Sequence, residues 1–328
     1  MPQRSLPLAV LSQLRTGLLW IAAAVIVFTV IFGDLPGHGK YVGVLQDSCH
    51  APAFGALSVI ALILLARWSK APRLLLMQSA TVVLAMLVMG VTTELVQALF
   101  GRDAELDDVV SDAVGSLGAT GVWTLLQLRT SREPAARAGR LVAVVVCIAT
   151  FGYWVQPIVT CAAAYWHRAA QFPVLAQFNS QRDFYFLRSG GAEFRIVTTP
   201  GSAGGAADTA LEVDLGQGRW PGITLFEPAP DWHRYRILAI DLGNPGSRSL
   251  ALHVRVNDRA HNDEFDDRFN ESLSVLPGTR TTYRIPLEKI ASSPHGRRMD
   301  MSRVAAVILF HDGSAPGEVL RLQRIWLE

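Results

Sequence analysis

Residues 74–100, LLLMQSATVVLAMLVMGVTTELVQALF, contain one ionisable side chain, Glu94, close to their far end. A helix crosses the hydrocarbon core of a bilayer with about 20 largely apolar residues, and this stretch is long enough. Four more apolar stretches lie around it, at 17–33, 51–66, 109–128 and 141–164. The first follows Arg4 and Arg15 but has no small-x-small cleavage site, and further spans come after it. It therefore reads as a retained anchor rather than a signal peptide. The expected N-terminal fold is an α-helical transmembrane bundle of five spans.

Working outward, the chain changes character near residue 168, which divides it into a membrane domain, 1–168, and a second domain, 169–328. The composition, 50% hydrophobic and 18% charged over 328 residues, suits a chain half immersed in lipid. A net charge of +2 gives no argument for nucleic acid. All three cysteines, Cys49, Cys147 and Cys161, fall in the first half, where they read as small packing residues. The second half must fold without disulfides.

Basic residues sort by loop. Arg67, Lys70 and Arg73 lie between spans two and three, and Arg129, Arg132, Arg137 and Arg140 between spans four and five. The alternate loops are balanced or acidic, with Arg102 facing Asp103, Glu105, Asp107 and Asp108. Short cytoplasmic loops carry the Lys/Arg excess. The expectation is a multi-pass protein of a bacterial inner membrane, with a cytoplasmic N-terminus and a periplasmic or otherwise extracytoplasmic C-terminal domain. Tyr165 and Trp166 suit the interfacial aromatic belt at the last exit.

That orientation collects polar residues in one outward layer: Asp47 and His50, Glu94 and Gln97, then Arg102, Asp108 and Asp112. Spacings of three and four put each pair on one helix face, and Gly115, Gly118 and Gly121 allow close helix approach. Ionisable groups at membrane depth are costly, so the layer is a candidate binding or active site. Its residues resemble the VanZ-like membrane family. The run Asp47-Ser-Cys-His50, then Glu94-Leu-Val-Gln97, then Gly101-Arg102 with Asp108 and Gly115, matches that family's three blocks in order. Ser48 stands where the family usually has Lys, His50 follows Asp47 by three residues rather than four, and Asp112 replaces an Asn. The resemblance covers about 15–128 and implies a cell-envelope membrane protein, with a family-level link to teicoplanin resistance.

Four readings of the layer stay open. Glu94 and Asp108 pair with Arg102 and His50 as a structural lock. Alternatively, His50 or Arg102 faces the anionic headgroup of a lipid-linked envelope component, with Glu94 as base. A third reading is a Zn²⁺ or Mn²⁺ site from Asp47, His50, Glu94 and Asp108. The fourth is a proton path.

After residue 178 the text alternates. Leu250, Leu252, Val254 and Val256 are separated by Ala251, His253 and Arg255, as a half-buried strand requires. Similar runs at 193–198, 210–214, 236–241, 281–286, 305–310 and 319–326 are divided by turns such as Gly243-Asn-Pro-Gly246. The expected fold is an all-β antiparallel jelly-roll sandwich. Trp220-Pro-Gly-Ile-Thr-Leu, Asp231-Trp232, Asn257-Asp-Arg-Ala-His-Asn262 and Tyr283-Arg-Ile-Pro-Leu resemble galactose-binding-like sandwiches, among them carbohydrate-binding modules. Trp220, Trp232, Tyr235 and His261 are candidate faces for sugar stacking, against the plain reading of aromatics in a core. Asp258, Asp263, Glu264, Asp266 and Asp267 are candidate ligands for a structural Ca²⁺, against a solvated acidic loop. No other cofactor is indicated, and no nucleophile elbow, P-loop or dinucleotide fingerprint occurs in this half.

The expected protein binds or modifies a lipid-linked or surface component in the membrane and contacts a glycan or cell-wall polymer through its sandwich. The alternative is a structural or sensory membrane protein whose sandwich docks an envelope protein partner.

Overall fold

A computed structural model describes residues 8–68, 75–101, 104–199, 208–216, 219–229, 231–313 and 317–328. Arg102, together with Asp103, Lys70 and Arg73, lies outside the described residues. The chain divides into two compact units, residues 1–161 and 162–328.

The first unit is helical: α1 (Leu8–Phe32), α2 (Lys40–Ser48), α3 (His50–Trp68), α4 (Leu75–Leu99), α5 (Leu106–Leu128) and α6 (Pro134–Gln171), the last ending in the second unit. Five helices are long and apolar enough to cross a membrane, counting α2 with α3 as one run, Lys40–Ala66. Local signals set their ends. Gly33 follows α1, its N–H bonded to the Thr29 carbonyl. Asp107 and Asp108 sit in the first turn of α5, where the helix dipole favours negative charge. Pro134 opens α6 in the first turn, where its missing N–H would have no intrahelical partner. Leu18, Trp20, Ile21, Val25 and Phe28 of α1 are exposed, as are Leu84, Val88 and Leu95 of α4. Apolar surface on this scale is expected against lipid or a partner, not water.

Glycines decide how the helices meet. A Cβ on Gly115 of α5 would fall 1.9 Å from the Ala51 carbonyl oxygen, and one on Gly121 would fall 2.8 Å from Cys147 Sγ. The α3–α5 contact therefore depends on the absence of a side chain at Gly115. Phe54, Leu57, Leu62, Val82 and Met86 fill the small buried cluster between α3 and α4.

The second unit is an antiparallel sandwich of two sheets. Its described strands are β1 (Val174–Gln177), β2 (Leu187–Ser189), β3 (Glu193–Thr199), β4 (Asp208–Asp214), β5 (Gly222–Phe226), β6 (Ile237–Gly243), β7 (Leu250–Asp258), β8 (Phe269–Val275), β9 (Arg280–Pro286), β10 (Val304–Phe310) and β11 (Val319–Leu327). One sheet runs β3-β4-β11-β6-β9, with β1 also on β11; the other runs β2-β5-β10-β7-β8. Phe178, Trp232, Leu238, Ile240, Leu250, Leu252 and Phe269 lie in the fully buried layer between them. A short helix, α7 (Leu287–Ala291), follows β9 and buries Leu287 and Ile290. The end of α6 belongs to this unit: Ala164 joins the core, the Tyr165 hydroxyl donates to Glu227 Oε2 at 2.5 Å, and His167 bonds Asp183. Trp166 beside them is exposed.

Candidate functional site

The outer face of the second sheet forms a groove of about 860 Å³. Its floor follows from register. Phe310 pairs with Gly222 on one side and His253 on the other, and Ile308 pairs with Thr224 and Arg255. His253 and Arg255 pair in turn with Ser272 and Asn270 of β8. Opposed residues share a face, so two rows cross the sheet: Phe310, His253, Ser272, and Thr224, Ile308, Arg255, Asn270. Gly222 lets β5 lie against β10, since a Cβ there would fall 2.1 Å from the Leu309 carbonyl oxygen.

Aromatic faces line this groove. Trp220 is 52% exposed and meets Phe310 edge-on, with centroids 5.8 Å apart at 83°. Phe265 is 64% exposed under the Arg268 guanidinium, 5.1 Å from its ring centre. His253 lies 5.2 Å from Phe310. Two cations stand among them. Arg255 Nη2 donates to His261 Nε2 at 2.8 Å, and His261 Nδ1 donates to the Asp267 carbonyl at 2.9 Å. Burial first, then the like charge of Arg268, lowers the Arg255 guanidinium below its ordinary basicity. The Nε atoms of both arginines are buried without a hydrogen-bond partner, and neither forms an ion pair among the described residues. Glu271 and Asp312 also line the groove, and Glu271 is held by Lys289 at 2.6 Å.

Of the four aromatic and imidazole residues read as glycan contacts, only Trp220 presents a free face in this groove. Trp232 is 0% exposed, its indole N–H bonded to the Pro228 and Ala229 carbonyls at 3.0 Å. It belongs to the core, where a large ring gains most from burial. Tyr235 packs on Phe172 with centroids 5.3 Å apart and lines a different cavity. His261 is buried beneath Arg255 as its hydrogen-bond support. The groove residues His253 and Arg255 were marked as outward by the alternation of residues 250–256; Phe265, Arg268 and Phe310 carried no comparable signal.

The acidic loop is drawn in by a cation already in the chain. Asp258 accepts from Arg297 Nη1 and Nη2 at 2.7 and 2.9 Å and from the Asp300 N–H at 2.7 Å. Asp267 accepts from Arg297 Nε and from the Asn262 N–H. Asp263, Glu264 and Asp266 are exposed outside this knot. One guanidinium thus holds both buried carboxylates of this loop, Asp258 bidentately and Asp267 through Nε.

In the helical unit, the structure brings His50, Glu94, Asp108 and Asp112 together. Asp47 is exposed on α2, and Gln97 turns to α1, donating to the Val30 carbonyl at 3.0 Å. His50 Nδ1 lies 3.0 Å from Asp112 Oδ1, and His50 Nε2 lies 3.4 Å from Asp108 Oδ2. Glu94 Oε2 accepts the Glu105 N–H at 2.9 Å. A cavity of about 470 Å³, lined mostly by apolar residues of α1 and α3, includes His50 in its wall.

No family model matches the chain, and no curated protein does. Solved structures resemble its sandwich half. An exo-β-agarase is 17% identical over 47% of this chain and 24% of its own, with a TM-score of 0.40. A family 11 carbohydrate-binding module from Clostridium thermocellum, in complex with a β-1,3-1,4-mixed-linked tetrasaccharide, is 16% identical over 47% of this chain and 93% of its own, at 0.35. An arabinose-bound α-L-arabinofuranosidase is 15% identical over 48% and 25%, also at 0.35. The chain thus spans about a quarter of the length of the two enzymes. The sandwich assignment rests on the strand pairing of this chain alone.

Proposed function

We propose that this is a membrane-anchored glycan-binding protein of the bacterial cell envelope, whose sandwich holds a polysaccharide in the groove on its second sheet. The observation that carries the reading is the combination of exposed Trp220 and Phe265 with two part-buried guanidinium groups whose buried Nε–H groups have no partner among the described residues. Sugar rings offer apolar C–H faces to aromatics and hydroxyls to polar groups, and about 860 Å³ falls in the usual size range of ligand clefts. A buried donor left unpaired costs about 1–3 kcal/mol, which a ligand oxygen at either Nε–H would recover. Because neither Arg255 nor Arg268 forms an ion pair among the described residues, acidic polysaccharides bearing uronate or sulfate groups are favoured over neutral ones.

The five apolar helices would cross the inner membrane with the N-terminus cytoplasmic and the sandwich outside, following the basic-loop distribution. The layer around His50 would then face outward, beside an apolar cavity suited to the chain of a lipid-linked component. The VanZ-like resemblance supports this part of the proposal through its three blocks of residues.

Calorimetry of the full chain in nanodiscs against neutral and acidic polysaccharides tests the glycan reading. Saturable binding to an acidic polysaccharide is expected, weakened about tenfold or more by Trp220→Ala, as for a central aromatic anchor. Binding that is absent across the panel, or untouched by Trp220→Ala and Arg255→Gln together, would overturn it.

A further inference from the structure

His50, Glu94 and Asp108 come from three different helices, and their side chains converge. One ligand atom from each lies within 4.8 Å of the other two, with His50 and Glu94 buried and Asp108 nearly so. The 3.4 Å between His50 Nε2 and Asp108 Oδ2 is long for a hydrogen bond. It is about the separation of two ligands that each sit ~2.1 Å from one tetrahedral ion. Glu94 is 4% exposed, and while its Oε2 is held by the Glu105 N–H, its Oε1 is buried with no partner.

The far side of the imidazole is already arranged. Asp112, 0% exposed, accepts from His50 Nδ1, which fixes the tautomer and leaves the Nε2 lone pair pointing toward Asp108. A carboxylate behind a histidine is the usual outer support of a metal-bound imidazole. Gly90 makes room for it, since a Cβ there would fall 2.7 Å from Asp112 Oδ2. The charge balance points the same way. Three carboxylates face one imidazole, and among the described residues no Lys or Arg forms an ion pair with any of them. Like charges collected in a poorly solvated layer need a compensating cation.

We propose that His50, Glu94 and Asp108 bind one divalent first-row cation, Zn²⁺ or Mn²⁺, with Asp112 as the positioning residue behind His50. The mixed nitrogen and oxygen donors favour these ions over Mg²⁺ and Ca²⁺, which take oxygen ligands. Three protein ligands leave a coordination position for water or an anionic group, the arrangement of reactive rather than structural zinc sites. The proposal goes beyond the glycan reading and does not depend on which way the layer faces.

The test uses the full chain in nanodiscs, stripped by chelator, then dialysed against ZnCl₂, MnCl₂ or MgCl₂ and counted by elemental mass spectrometry. Co²⁺ serves as a spectroscopic stand-in for Zn²⁺. About one Zn²⁺ or Mn²⁺ per chain and a visible Co²⁺ spectrum are expected, with no Mg²⁺ retained. His50→Ala should abolish both at unchanged helical circular dichroism. Asp112→Asn should keep the stoichiometry but weaken affinity about 10–100-fold, the scale seen when an outer carboxylate is lost. A well-folded native chain that retains neither Zn²⁺ nor Mn²⁺ would overturn the proposal. Retention undiminished in folded His50→Ala would overturn it as well. Should that variant fail to fold, the native count and the Asp112→Asn affinity decide.

Discussion

Arg297 holds the loop between β7 and β8 by placing one guanidinium against two carboxylates, Asp258 and Asp267. Its hydrogen bond, aided by the Asn262 N–H and opposed by burial, holds the Asp267 carboxyl at about 2. The folded state then binds fewer protons than the unfolded chain between that value and the ordinary carboxylate range near 4. This contribution to stability is full above about pH 4 and is lost as pH falls toward 2. Arg297→Gln should therefore lower the melting temperature of the sandwich at pH 7, and the gap from the native chain should narrow between pH 4 and pH 2. A gap independent of pH would count against the assignment. Chelator should leave the melting temperature of the sandwich unchanged, because Arg297 already holds the two buried carboxylates of this loop. At this scale the sequence was least informative. It offered eight tryptophans and an acidic run, but not which ring is enclosed or which cation reaches the acids. Trp220 and Trp232 differ only in tertiary surroundings, and Arg297 lies far along the chain from both carboxylates.

Elements were far more legible, because periodicity is a local property. The seven strand runs read from alternation correspond to β3, β4, β6, β7, β9, β10 and β11. Those not read out were β1, β2, β5 and β8: two are very short, and β5 opens on Gly222 after Pro221. In β8, Phe269, Leu273 and Val275 alternate with polar residues, but Glu271 takes the inward position opposite Val254 and hides the pattern. Gly222 is testable here. Gly222→Val would drive a branched side chain into the β10 backbone, costing about 1–3 kcal/mol as overpacking does. The same substitution should widen the groove floor and weaken polysaccharide binding; unchanged urea unfolding would contradict the close approach. In the helical unit the equivalent position is Gly115. Gly115→Leu should separate α3 from α5 and lower the yield of folded protein, whereas Gly17→Leu, with open space around it, should not. Apolar length made these helices readable. The break between α2 and α3 at Cys49 was not, because its backbone stays helical and only the hydrogen bonding shifts.

For the whole molecule, two chemistries share one chain: apolar helices holding a buried polar cluster, and a sandwich with an aromatic and basic groove. The proposed arrangement puts the first in the inner membrane and the second outside it. Alkaline phosphatase fused at the C-terminus should be active in a bacterial host, and fusions in the basic loop at 129–133 should be inactive. The reverse pattern would place the groove in the cytoplasm, away from any envelope polymer. The central claim remains that the groove on the second sheet is where glycan binds. It is tested most directly by ¹⁹F NMR of the full chain in nanodiscs, labelled with 5-fluorotryptophan, with the Trp220 resonance assigned by its loss in Trp220→Phe. On titration with an acidic polysaccharide, the Trp220 resonance should move saturably while that of buried Trp232 stays fixed. Binding that leaves Trp220 unmoved would contradict the account and place the ligand elsewhere on the molecule.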